Sequence, residues 1–256
     1  MALKPIIAIN SFKNILIGLF FTIYFGYSAL AQNIHTGGIF PTIDHSGSIT
    51  NKLDYSLYYF GAFPLVNFSE TKLDETPFML LFYGEQALNY NITNKLSFSA
   101  SYVYQREKTG MDSYVNENRV HFQLTYKYAV NQVKFKHRLR FDNRFITDPN
   151  TDTNTYKNRL RYLLGMELPI GSDNNNWYFT SYEEAFFNTF KNANKVFAEN
   201  WAYAAIGKRL NNNHKLEAGP LYITWFTGNN NWFNQYYLQL TWISNVDFRK
   251  KDVQFP

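Results

Sequence analysis

The chain has 256 residues and a mass of 30.1 kDa, with 24 Phe, 20 Tyr and 5 Trp set against a mean hydropathy of −0.37, no cysteine, and 25 basic to 20 acidic residues. Without cysteine, a disulfide scaffold, a thiolate metal site and a cysteine nucleophile are excluded, and no apolar stretch of roughly 20 residues past position 31 supplies a spanning helix. The aromatic content is too high and the charge too balanced for a disordered chain, whose apolar surface could not offset its ordering entropy.

At the N-terminus, Lys4 and Lys13 are followed by the apolar run from Ile15 to Phe25, and Ala29-Leu30-Ala31 comes just before Gln32. A positive start, an apolar stretch shorter than a spanning helix and small residues ahead of a cleavage point predict a secretory signal peptide over residues 1–31. An uncleaved membrane anchor is the competing reading. Gln32 in place of Cys argues against a lipid-anchored lipoprotein. Removing this segment takes away two lysines and no acids, leaving 23 basic and 20 acidic residues, a net charge of +3. No block of like charges remains to recruit nucleic acid.

Residues 32–47, with Gly37-Gly38 and Phe40-Pro41, read as a lead-in or an extra strand, residues 48–243 as the body of the fold, and residues 244–256 as a polar tail. In the body the dominant signal is alternation with period two. Over 119–128, Val120, Phe122, Leu124, Tyr126 and Tyr128 fall on one face and Arg119, His121, Gln123, Thr125 and Lys127 on the other, a sorting no helix produces. Segments of this kind predict ten strands, near 49–60, 77–90, 95–106, 117–128, 133–145, 156–168, 177–188, 199–209, 215–226 and 232–243. Short connections at 91–94, 129–132 and 210–214 alternate with longer ones at 61–76, 107–116, 146–155 and 188–198, a longer turn at 169–176 and a short loop at 227–231 being the exceptions. That rhythm predicts an all-β, up-and-down antiparallel transmembrane barrel of about ten strands, with twelve as the alternative, since bacterial barrels of this type carry even counts. Pro220 withholds one ladder donor and predicts an irregularity. His137, on the apolar face by parity, suggests a bulge.

Ile49-Thr50-Asn51-Lys52-Leu53 recurs as Ile92-Thr93-Asn94-Lys95-Leu96, with Asn213-His214-Lys215-Leu216 as a looser third copy. The three read as equivalent hairpin turns, with Asn tolerating positive backbone angles. Strand length favours a membrane over water, because segments of about eleven residues suit a tilted crossing and soluble strands average about five or six. The tryptophans predict two girdles, Trp177 and Trp242 at the short-turn end and Trp201, Trp225 and Trp232 at the long-loop end. A soluble periplasmic binding barrel is the alternative.

The repeated Ile-Thr-Asn-Lys-Leu, the segment Tyr156–Tyr162 (Tyr-Lys-Asn-Arg-Leu-Arg-Tyr) and the segment Trp177–Asn188 (Trp-Tyr-Phe-Thr-Ser-Tyr-Glu-Glu-Ala-Phe-Phe-Asn) resemble the DUF2490 family of predicted outer-membrane β-barrels from Bacteroidetes-type Gram-negative bacteria. The resemblance implies fold and an outer-membrane location and brings no catalytic residues with it.

With the apolar face toward lipid, the lumen receives Arg119, Lys127, Lys134, Lys136, Arg138, Arg140, Arg159 and Arg161, with Glu85, Glu167 and Glu217 as acidic partners. Glu183 and Glu184 fall on opposite faces, and the local pattern does not say which is inside. Such charges either pair and fill a narrow interior or form a cation-rich constriction that selects small anionic solutes. For an enzyme, a hydroxyl and an imidazole must meet. Only His121 and His137 of the mature histidines fall inside predicted strands, and His121 can oppose Ser99 or Ser101. The spacing specifies no catalytic site, no cofactor and no metal site. The sequence thus reads as a monomeric outer-membrane barrel in contact with lipid, a small passive channel or a structural or binding barrel, with a lipid-modifying enzyme of phospholipase or acyltransferase type as runner-up.

Overall fold

The computed structural model describes residues 33–67, 79–108, 113–171, 176–190, 195–228 and 231–249. Residues 1–31, read as a signal peptide, and the end of the tail lie outside the described residues. Eleven strands form one closed barrel: β1 (Asn33–Ser48), β2 (Leu53–Asn67), β3 (Leu81–Asn91), β4 (Leu96–Lys108), β5 (Tyr114–Val130), β6 (Val133–Asp148), β7 (Thr153–Pro169), β8 (Trp177–Asn188), β9 (Phe197–Arg209), β10 (His214–Gly228) and β11 (Asn231–Asp247). Each strand pairs antiparallel with its neighbours in the chain, and β1 closes the barrel by pairing parallel with β11 along its whole length.

All ten expected strands are present in order, and β8 has the expected limits. The eleventh is β1, from the segment read as a lead-in or extra strand. The even count fails for a geometric reason. In an up-and-down meander the first and last of an odd number of strands run the same way, so closure is parallel. β1 lacks clean alternation because Gly37, Gly38 and Pro41 interrupt it; its register against β2 shifts between Gly37 and Gly38. At that shift a Cβ on Gly38 would lie 2.0 Å from the carbonyl oxygen of Phe63, so only glycine lets the strands approach.

The repeated turns share one mechanism. Thr50 Oγ1 accepts from the backbone N–H of Lys52 and Leu53 at 3.2 and 3.0 Å, and Thr93 Oγ1 accepts from Lys95 and Leu96 at 3.1 and 3.0 Å. At the β9–β10 turn Asn211 Oδ1 takes the same place, accepting from Asn213 and His214 at 2.8 and 2.9 Å, so His214 and not Leu216 stands where Leu53 does and the third copy is two residues out of register with the expected one. The side-chain acceptor at the first turn position thus makes the echo, and the left-handed backbone falls elsewhere, on Asn131 (φ 55°) and Asp152 (φ 51°). At the other end the strands run further than expected, and the connection between β6 and β7 shrinks to a four-residue turn at 149–152.

Neither expected irregularity is a bulge. The register of β6 with both neighbours is continuous through His137. Its imidazole sits on the outer wall because Tyr162 and Tyr128 hydroxyls lie 2.7 and 3.4 Å from its ring nitrogens. At Pro220 the ladder to β9 lapses over two residues, yet Ala218 opposite Ile206 and Leu221 opposite Tyr203 keep one register.

Side chains sort inside out relative to a soluble barrel. Leu88, Phe98, Phe122, Leu124, Leu139 and Leu164 are exposed on the outer wall. The lumen divides into two sectors. On one side Phe40, Phe60, Tyr83, Tyr203, Leu221 and Tyr237 form a buried aromatic and aliphatic cluster from β1–β3 and β9–β11. On the other, β3 and β5–β8 bring charges together.

Candidate functional site: the charged lumen

The inward positions of β5, β6 and β7 are their odd, even and odd residues respectively, and pairing brings them into register: His121 faces Asp142, Asp142 faces Arg159, and Arg140 faces Arg161. Two arginines side by side need carboxylates between them, and the lumen supplies these. Glu117 accepts from Arg119 Nε at 2.7 Å and from two nitrogens of Arg144 at 2.7 and 2.6 Å. Asp142 lies 3.6, 3.3 and 3.8 Å from Arg119, Arg159 and Arg161. Glu184 takes two hydrogen bonds from Arg161, at 2.9 and 2.8 Å, and pairs with Arg138 at 2.8 Å. Glu85 accepts from Arg140 at 3.1 and 3.3 Å and from the Tyr83 hydroxyl at 2.6 Å. Arg159 reaches Glu199 at 2.9 Å.

Charge-assisted, partly bidentate bonds of this kind offset the large cost of taking guanidinium groups out of water. The network is tied to the aromatic sector by rings: Arg119 over Tyr83 at 5.8 Å and Arg159 over Phe186 at 4.7 Å. Every strand sends at least one buried side chain into the waist. Phe40 and His121 are 0% exposed, Arg119 and Leu221 1%, and Glu184 and Tyr203 2%. The remaining lumen space, about 1070 Å³, is lined by Ser48, Asp54, Lys134 and Asn245 toward the short-turn rim and by Asn188 and Phe226 toward the long-loop rim.

The expected lumen charges all sit on inward positions, in three settings. Arg119, Arg138, Arg140, Arg159, Arg161 and Glu85 belong to the network. Lys134 and Glu167 lie nearer the short-turn rim, where Glu167 also meets Arg209 and Lys215. Glu217 accepts from the hydroxyls of Tyr178 and Tyr203 at 2.8 and 3.4 Å. Lys127 and Lys136, directly opposite each other on β5 and β6, line the cavity and form no ion pair with a described carboxylate.

The lumen acids missing from the expected set are Glu117, Asp142, Glu184 and Glu199 in the network and Asp44, Asp54 and Glu107 elsewhere along the cavity wall. Asp142 was legible, since it shares the polar parity of Lys136 and Arg140. Glu184 was not, because apolar residues occupy both faces of β8. In the structure Glu184 points inward and Glu183 falls on the outer wall. Two of the five girdle tryptophans also turn inward. Trp201 packs edge-on to Phe40 at 5.9 Å and donates to Glu199 at 2.5 Å, and Trp225 packs against the lumen cluster and stacks on Phe233 at 4.8 Å. They have inward parity on β9 and β10, which their position near strand ends concealed. Trp177 and Trp242 are exposed on the outer wall, and Trp232 contacts Phe197 and Phe226 near the other end.

All five histidines lie within strands, including His35 and His45 on β1 and His214 at the start of β10. His121 faces Ser101 across the ladder as expected, but neither ring nitrogen nor the Ser101 hydroxyl has a hydrogen-bond partner. The ring is instead enclosed by Glu85 at 3.4 Å and Asp142 at 3.9 Å. Among the described residues no group of three or more His, Asp or Glu side chains is placed to hold a metal ion.

Among solved structures, the siderophore receptor PirA from Pseudomonas aeruginosa is similar to this chain at 13% identity and a TM-score of 0.28, over 70% of this chain and 32% of the receptor. The chain thus spans about a third of that receptor's length. No curated protein matches it. The family described as "Protein of unknown function (DUF2490)" matches residues 74–234, which takes in β3 to β10 and the start of β11 with nearly all of the charged network. The chain belongs to the DUF2490 family.

Proposed function

We propose that this protein is a monomeric outer-membrane β-barrel with a closed waist, a structural or binding barrel and not an open channel. The observation that carries the reading is the inverted distribution of side chains: apolar residues cover the outer wall of a closed sheet while arginines and carboxylates pair within it. In water that arrangement would expose a continuous apolar belt; in a bilayer it satisfies every strand, since closure leaves no unpaired edge and lipid covers the belt. The crowding of guanidinium groups, carboxylates and rings along the lumen cavity favours binding over conduction, and Lys127 and Lys136, which share that cavity with Asp44, suit a small anion entering from the short-turn side. Export by the signal peptide, with the short turns in the periplasm, completes the reading.

Two measurements test it. The protein refolded in detergent should migrate differently on a denaturing gel before and after heating; a compact, water-soluble monomer without detergent would overturn the membrane assignment. In a planar bilayer the folded protein should show no sustained conductance, and steady ohmic steps would overturn the closed waist.

A further inference from the structure

The outer wall is not uniform around the barrel. Across the seam where β1 meets β11 lies a groove of about 720 Å³, lined by Pro41, Ile43, Gly61, Ile206, Leu240 and Trp242 among others, almost entirely apolar. Its short-turn edge is one row of cross-strand neighbours: Trp177, Lys208, Leu216, Trp242, Ile43 and Tyr59. One step further along the strands, roughly 7 Å nearer the rim, the row changes character to His214, Ser244 and His45. The apolar groove thus stops at the row of two exposed tryptophans, and the polar row lies one step beyond it, with Ser244 5% exposed.

That row is organised as a relay. His45 Nδ1 lies 2.7 Å from Ser244 Oγ, and His45 Nε2 lies 2.7 Å from the Tyr55 hydroxyl. The Tyr55 ring is pressed onto Gly47, where a Cβ would lie 2.3 Å from it, so the group orienting the imidazole is itself fixed. With Nε2–H donated to Tyr55, Nδ1 accepts the Ser244 hydroxyl proton. On the other flank of Ser244, the His214 ring stacks on Trp242 at 5.9 Å, and its Nδ1 is buried with no hydrogen-bond partner. Nucleophile bonded to base, base bonded to an orienting group, and an unused donor beside the nucleophile make up an acyl-transfer geometry.

We infer that this seam is a glycerophospholipid site at which Ser244 is an acyl-accepting nucleophile and His45 its base, an assignment that rests on the outer wall facing lipid. An acyl chain lies in the groove, and the ester carbonyl reaches the Ser244 row on the rim side of it. Ser244 Oγ attacks the carbonyl carbon as its proton passes to His45 Nδ1, and the His214 ring N–H stabilises the oxyanion. The bond from carbonyl carbon to glycerol oxygen breaks, and that oxygen leaves with the proton from His45. Water, deprotonated by His45, then attacks the acyl-serine, releasing a fatty acid and restoring the Ser244 hydroxyl. Net, one ester and one water give one fatty acid and one lysophospholipid.

The test uses the full mature chain folded in mixed micelles of detergent and phosphatidylethanolamine, with fatty-acid release and fluorophosphonate labelling read by mass spectrometry. Wild type should release fatty acid and carry the adduct on Ser244. Ser244→Ala should abolish both, and His45→Asn should slow both by about 10²–10⁴-fold, as loss of a general base does, while Ser46→Ala on the lumen face changes neither. Heat-modifiable migration of each sample reports folding and the membrane reading separately from activity. Folded wild type that releases no fatty acid and takes no adduct, or hydrolysis that survives Ser244→Ala, overturns the assignment.

Discussion

The guanidinium of Arg161 stands 4.3 Å above the ring centre of Phe186 while two of its nitrogens hold Glu184 at 2.9 and 2.8 Å. One side chain therefore joins the aromatic and the charged sectors of the lumen, and a single carboxylate neutralises both it and Arg138.

Glu184→Gln keeps the shape of the side chain and removes that charge, leaving two buried guanidinium groups short of a partner. Loss of one member of a buried ion pair typically costs about 3–5 kcal/mol. The urea midpoint of the detergent-folded variant should fall accordingly, with Phe186→Leu losing less, about 0.5–2 kcal/mol for the cation–π contact. Wild-type stability in Glu184→Gln would mean that the network does not hold the waist.

The shared turn mechanism makes a substitution pattern of its own. Thr50→Ala and Thr93→Ala each remove an acceptor that serves two backbone donors, at an expected cost of about 0.5–1.5 kcal/mol apiece. Thr50→Asn should be close to neutral, since Asn211 performs the same task at the β9–β10 turn. If Thr50→Asn were as damaging as Thr50→Ala in the same unfolding experiment, the equivalence of the three turns would fail.

How much of this could be read from the chain depends on where alternation is clean. In β4 to β7 one face is polar and the other apolar, so Arg119, Arg140, Arg159 and Arg161 were placed inward by parity. In β1, β2 and β8 to β11 the lumen face mixes apolar residues such as Phe40, Phe60 and Leu221 with polar ones such as Thr42, Glu184 and Gln239, so parity carries less contrast there. That is why β1 was ambiguous, why Glu184 could not be told from Glu183, and why Trp201 and Trp225 read as girdle residues. The relay of Ser244, His45 and Tyr55 was hidden for another reason. It is assembled by the closure of the barrel, from residues 199 positions apart in the case of His45 and Ser244, and no spacing in the sequence announces a parallel seam.

Glycine should be intolerant of substitution where neighbouring strands touch most closely. A Cβ on Gly38 would sit 2.0 Å from Phe63 O, and one on Gly219 2.0 Å from Ala204 O, whereas at Gly165 the nearest atom is 3.5 Å away. Gly38→Ala and Gly219→Ala must push backbone aside, and overpacking of this kind costs about 1–3 kcal/mol or more. Gly165→Ala should fold with near wild-type yield. Comparing the heat-modifiable fraction of the three refolded variants tests this, and equal yields would argue against the close approach at both sites.

The outer wall offers the sharpest discrimination between lipid and water. Leu124 and Leu139 face each other across β5 and β6, 45% and 46% exposed. On a soluble barrel, Leu124→Arg at so open a position would change stability by less than about 0.5 kcal/mol. On a barrel whose belt lies in hydrocarbon, arginine near the midplane costs about 2–4 kcal/mol, while Tyr156→Arg, close to the β6–β7 turn, should cost about 0–1 kcal/mol because the charge reaches the interface. Equilibrium unfolding in lipid vesicles measures both. A depth-dependent penalty, large at Leu124 and small at Tyr156, is the expected result; equal and negligible effects at the two positions would mean that the belt does not face lipid.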